Sequence, residues 1–217
     1  MIKDSNFRNV FFEPWVGHFY VNSSPRLLIL AHNYPCNEPY AVCANCGNRA
    51  EHPHCTQIGS KAWIYEYLNG KGLSWHRRTF DNFLRSYLNK YHFSDEDVKK
   101  FWESVAFYNY VQKSNSTHTR IGGMKSEDYI YSLDAFKEVL EILKPTHIIT
   151  WGNVYHRIPI QRIEHTIENN GKAYYYCEIT DVTSVKTPIM LKIHHPSMFY
   201  SWSKWGKVIS EFLKIQI

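Results

Sequence analysis

The sequence predicts an α/β protein: a three-layer αβα arrangement around a central, mostly parallel sheet of four strands. Two observations carry that expectation. Four apolar runs, at residues 27–31, 104–108, 147–151 and 189–193, have the length and continuity of strands buried on both faces. Between and after them apolar residues recur at helical spacing, and alternation of strands with helices implies parallel pairing through right-handed crossovers. At 217 residues the chain reads as one domain, residues 1–217, with a cysteine-rich insert at residues 36–55.

The elements follow in order. Leu27-Leu28-Ile29-Leu30-Ala31 is the first strand, and His32-Asn33-Tyr34-Pro35 is the polar turn that ends it. Trp63, Ile64, Tyr67 and Leu68 mark a short helix stopped at Gly70. Phe80, Phe83, Leu84, Tyr87, Leu88 and Tyr91 mark a longer one. Ser94 with Asp97 three residues on reads as a capping box opening a helix that buries Val98, Phe101 and Trp102. The second strand, Ser104 to Tyr108, ends at Asn109-Tyr110. A polar loop from Lys113 to Asp128 follows it. Leu133, Phe136, Leu140 and Leu143 make a helix that stops before Pro145, and His147 to Trp151 is the third strand, closed by Gly152. Tyr174 to Ile179 is expected to pair with Ile189 to Ile193 in a hairpin-like addition. Trp205, Val208, Ile209, Phe212 and Leu213 form the last helix.

Composition limits the partners. With 44% hydrophobic and 16% aromatic residues the chain is not a disordered one, and a formal charge of +5 suits a polyanion without requiring it. No apolar segment is long enough to span a bilayer, and Met1-Ile2-Lys3-Asp4 lacks the apolar stretch of a signal peptide. The expected location is the cytoplasm and the expected state a monomer. In that reducing compartment Cys36, Cys43, Cys46 and Cys55, crowded into one segment beside His52 and His54, argue for a metal rather than disulfides. Structural zinc is the first choice. Four thiols would also satisfy an iron–sulfur cluster, and His52 or His54 can replace a thiol. Cys177 reads as ordinary strand packing.

In parallel sheets ligands collect at the carboxyl ends of strands. Here those ends carry His32-Asn33-Tyr34, Asn109, Gly152 and His195-Pro196-Ser197. The last motif leads from a strand into a helix and offers an imidazole, a hydroxyl and free backbone N–H groups to a phosphate or a departing anion.

Ala31-His32-Asn33-Tyr34-Pro35, Phe107-Tyr108-Asn109-Tyr110, Lys144 to Gly152 and His195-Pro196-Ser197, each on its strand and in this order, resemble the uracil-DNA glycosylase superfamily from about Pro14 onward. Pro14-Trp15-Val16-Gly17 with Tyr20 is similar to a bacterial subgroup with a cysteine directly after motif one. Ala31 stands where the superfamily usually has glycine, and Tyr34 intervenes before Pro35. Asn33 aligns with the water-directing residue of the asparagine type, and His32 is close enough to share that role. Some members carry an iron–sulfur cluster, usually on cysteines spread over distant segments.

The resemblance implies a monofunctional DNA glycosylase with DNA as partner. His195 would donate to a base oxygen as charge develops there, and Asn33 would hold the attacking water. Asn109 would read the Watson–Crick edge of a flipped base, because one amide offers both a donor and an acceptor. Tyr34 or Tyr40 would stack on that base, with His32 nearby. Ser197, Met198, Phe199, Arg120 and Lys113 would meet the DNA, with Met198-Phe199-Tyr200 entering the vacated stack. Plainer readings stand beside these. Asn33 can cap a turn, Phe199 and Tyr200 can pack under the last helix, and the Lys113–Asp128 loop can be merely solvated. The substrate is uracil or a modified pyrimidine. Related bacterial defence enzymes remove glucosylated hydroxymethylcytosine from phage DNA, and the subgroup resembles them. The alternatives are a non-catalytic zinc-containing nucleic-acid-binding domain and a nucleoside or nucleotide hydrolase.

Overall fold

Each of the four apolar runs becomes a strand whose residues are almost all buried, as expected for a sheet covered on both faces. The computed structural model describes residues 7–32, 60–70, 77–112, 126–180, 187–197 and 199–217, and the backbone of 34–36, 74–76 and 114–116. In chain order the elements are β1 (Trp15–Val16), β2 (Leu27–Ala31), β3 (Tyr34–Cys36), α1 (Ser60–Leu68), α2 (Ser74–Leu88), α3 (Asp95–Ser104), β4 (Ala106–Asn109), β5 (Ser114–Ser116), α4 (Ser126–Tyr131), α5 (Leu133–Leu143), β6 (His147–Trp151), α6 (Val154–Arg157), β7 (Arg162–Asn169), β8 (Lys172–Ile179), β9 (Ile189–Ile193) and α7 (Trp202–Phe212).

The main sheet has seven strands in the order β1-β4-β2-β6-β9-β8-β7, which corrects the expected four. The four expected strands are its centre, β4-β2-β6-β9, and every pairing among them is parallel. The additions are antiparallel: β1 on β4 at one edge, then β8 on β9 and β7 on β8 at the other. The expected pairing of the tyrosine-rich run with Ile189–Ile193 is present, with Tyr176 opposite Leu191. The unforeseen β7 joins β8 through Asn170-Gly171, both left-handed (φ 52° and 70°), a two-residue turn whose twist matches that of its strands.

Helices lie on both faces, because alternate strand residues feed two separate cores. Leu28, Leu30, Ala106, Tyr108, Ile148 and Met190 pack with α5 and α6 residues such as Phe136, Leu140 and Tyr155. Leu27, Ile29, Phe107, Ile149, Trp151 and Leu191 pack with Phe83, Trp102, Val208 and Phe212 of α2, α3 and α7. Cys177 is buried in the first core as a free thiol.

The local signals act as their chemistry requires. Ser94 Oγ accepts from the Asp97 N–H at 3.2 Å, and the Ser94 N–H donates to the Asp97 carboxylate at 2.9 Å, so the capping box fixes the start of α3. Helix α5 ends at Lys144, whose left-handed backbone (φ 48°) directs its N–H to the Leu140 carbonyl before Pro145. Residues 104 and 105 are not strand: Ser104 ends α3 and β4 begins at Ala106. The Lys113–Asp128 segment is not all loop, since β5 pairs in parallel with β3 and α4 starts at Ser126. That small sheet lays the run leading into the cysteine segment beside the run leading out of β4. Gly17 permits β1 to cross the end of α3; a Cβ there would meet the Glu103 carbonyl oxygen at 2.3 Å.

No helix among the described residues is long and apolar enough to cross a membrane.

Candidate active site

The register brings the expected site segments level with one another. Asn109 lies opposite Ala31, Leu30 opposite Thr150, and Trp151 opposite Ile193. Four adjacent parallel strands therefore end at one edge, and at about 4.8 Å per strand gap the edge runs roughly 14 Å from Asn109 to Ile193. The backbone continues the alignment past the strands. Tyr110 N–H donates to the Ala31 carbonyl at 3.0 Å, Val111 N–H to that of His32 at 2.9 Å, and Gly152 N–H to that of Ile193 at 2.9 Å.

Asn109 is the most informative side chain there. It is 1% exposed, yet neither its amide oxygen nor its amide nitrogen has a hydrogen-bond partner among the described residues. A buried amide left so costs on the order of 1–3 kcal/mol for each unmet group, and native proteins rarely retain one without use. Strand alternation points it to the face of Phe107, Ala31 and Trp151. The Trp151 indole N–H on that face is also buried and has no partner among the described residues. Gln112 steadies the segment: its Nε2 donates to the Asn109 carbonyl at 3.0 Å, and its Oε1 accepts from the Phe11 and Phe12 N–H groups.

His195 follows β9 by two residues. Its ring lies edge-on to Trp151, with centroids 5.9 Å apart, and its Nδ1 is 2.9 Å from Ser197 Oγ. Gly152 makes this approach feasible: its φ of 73° suits glycine, and a Cβ there would touch the His195 Cβ at 3.4 Å. One side of the imidazole is open to solvent, but the covered flank is enough for burial to lower its pKa. A neutral ring that accepts the Ser197 hydroxyl proton at Nδ1 carries its own proton on Nε2, as a donor.

His32 turns to the other face. Its Nε2 meets the Tyr129 hydroxyl at 2.5 Å, the rings are nearly parallel, and Arg157 Nη1 donates to the same hydroxyl at 3.1 Å. Burial first, then the positive charges of Arg157 and His195, push the His32 pKa down to about 4. Asn109 and His32 therefore leave the sheet edge on opposite faces. Neither Tyr129 nor Arg157 is signalled in the sequence, since a tyrosine on a short helix has no motif.

The structure separates Phe199 from Tyr200. Tyr200 stacks on Trp205 and its hydroxyl meets Ser86 Oγ at 2.8 Å, so it packs under α7. Phe199 is 94% exposed and held at φ 54°, a left-handed conformation that disfavours a bulky side chain by about 1–2 kcal/mol. Asn33, Tyr40, Lys113, Arg120 and Met198 lie outside the described residues, as do Cys43, Cys46, Cys55 and the side chains of Tyr34 and Cys36. Among the described residues no three His, Cys, Asp or Glu side chains gather as a metal site.

One pH effect follows from His32. Between about pH 6.5 and 4 the unfolded chain binds a proton that the folded one refuses, so stability falls as pH falls through that window. The loss reaches up to about 3 kcal/mol by pH 4. His147, His156 and His195 are shifted in the same direction. Urea unfolding at pH 7 and pH 4.5 should show a clear drop for the wild type and a smaller one for His32→Gln; equal drops would contradict the assignment.

No family model matches the chain, and a search of curated proteins returns no match.

Proposed function

We propose that the chain is a monofunctional DNA glycosylase of the uracil-DNA glycosylase type, with a uracil-like or modified pyrimidine as substrate. The observation that carries this is Asn109, a buried amide whose donor and acceptor are both free among the described residues, at the carboxyl edge of a parallel sheet. A pyrimidine edge presents the complementary pair, and only a base taken out of its stack reaches such a position. His195 Nε2–H then donates to a base oxygen as the glycosidic bond breaks, and Ser197 keeps that tautomer. Water completes the reaction and leaves an abasic site. Asn33 is proposed to hold that water, and Tyr34 or Tyr40 to stack on the base. Lys113, Arg120 and Met198 are proposed to meet the DNA. Cys36, Cys43, Cys46 and Cys55 are proposed to hold a structural zinc, on the chemistry of four clustered thiols.

An exposed, left-handed Phe199 two residues after Ser197 supports insertion into the gap that the base leaves. Phe199→Ala should leave the melting temperature unchanged. It should also lower kcat/KM on duplex DNA about tenfold or more, the order expected for losing one stacking contact. Equal activity of variant and wild type on duplex would remove this role.

Oligonucleotides carrying uracil, hydroxymethylcytosine or glucosylated hydroxymethylcytosine test the reading directly, through strand scission by alkali at the abasic product. Scission at one of these bases is expected. DNA binding without scission at any of them would favour the non-catalytic module, and release from free nucleosides alone would favour the nucleoside hydrolase.

A further inference from the structure

We propose that Tyr129 and Arg157 are positioning residues that lock His32 in its Nδ1–H tautomer, so that a neutral imidazole presents a fixed donor to a nucleotide oxygen at the carboxyl edge. The argument is one of proton counting. The Arg157 guanidinium only donates, so at 3.1 Å the Tyr129 oxygen accepts from it. Tyr129 has a single proton, its side chain is buried, and His32 Nε2 is the one acceptor that its hydroxyl meets among the described residues. The opposite order, with His32 Nε2–H donating, would leave that hydroxyl proton buried without an acceptor. A neutral His32 must therefore accept at Nε2 and carry its proton on Nδ1.

The surroundings hold this order in place. Tyr110 donates its hydroxyl to the Tyr129 carbonyl at 2.7 Å and its ring lies nearly parallel to that of Tyr129, which fixes α4 above the first core. Arg157 also sits over the Tyr129 ring, 5.3 Å from its centre. The His32 carbonyl is tied to Val111 N–H, so both the backbone and the imidazole are pinned. The two imidazoles of this edge are then divided by role. His32, kept neutral by burial and by the Arg157 charge, has its tautomer set by the relay, and His195, bonded to Ser197, is left to meet the charge of a departing base.

The use of the donor rests on the glycosylase reading, whereas the proton order does not. Histidine-selective 15N NMR of the full chain reads the order without substrate, with the His32 signal assigned by its loss in His32→Gln. The wild type should show Nδ1 protonated and Nε2 accepting. Tyr129→Phe, which keeps the ring packing, should move His32 to the Nε2–H form, and Arg157→Met should give a mixture of the two. A wild-type His32 protonated on Nε2 overturns the proposal, and an unchanged tautomer in either variant removes that residue from the relay. On the base that the oligonucleotide panel identifies, Tyr129→Phe should lower kcat and spare KM; unchanged kcat would deny the donor its role. Absence of base release together with the expected tautomer would contradict the glycosylase reading and leave the relay standing.

Discussion

Asn109→Leu should make the protein more stable and inactive at once. Leucine keeps the branching of the side chain but removes two buried polar atoms that have no partner among the described residues. Relief of about 2 kcal/mol is the expected scale for such a change, and for a chain of this length that raises the melting temperature by about 5 °C. The larger branch would stand beside Ala31, the small residue directly across the strand pair. The same change removes the donor and acceptor that would read a flipped base, so turnover should fall at least about a hundredfold. A purely structural asparagine predicts the reverse: lower stability with activity kept. Thermal melts and single-turnover base release on the same two samples decide between them.

His195→Ala is the second large effect. Removing one donor aimed at developing charge lowers the rate by about a hundred- to a thousandfold in comparable sites. On the proposed reading the imidazole acts on the leaving base and Phe199 engages the duplex separately, so DNA affinity should change little. The stability change should also be small, since the ring is open on one side and its partners are Ser197 and the edge of Trp151. Loss of both binding and turnover would point to a structural His195. Full turnover would remove it from the chemistry.

The four central strands were legible because each is a continuous apolar run, the pattern that burial on both faces imposes; three of them begin and end as expected. The flanking strands were harder. β1 is two residues long and held by Gly17 N–H to the Val105 carbonyl, a contact that no periodicity encodes. β7 alternates weakly, as an edge strand does, although Asn170-Gly171 was a readable hairpin turn. At the candidate site, Asn109 and His195 stand out in the sequence through their places at strand ends. Their convergence depends on parallel register, which only the three-dimensional pairing supplies. His32 was grouped with the base-contacting residues on proximity in sequence, and strand alternation sends it to the opposite face, toward Tyr129. Side-chain direction just beyond a strand end follows from a partner hundreds of atoms away in the chain, and Tyr129 left no mark in the sequence.

The glycosylase reading is tested most directly by incubating the protein with genomic DNA from bacteria and from phages with modified cytosines, then identifying released bases by mass spectrometry, with Asn109→Leu run in parallel. The account predicts a free pyrimidine from at least one of these DNAs with the wild type, and none with the variant. No free base from any of them, or equal release by both proteins, would contradict it.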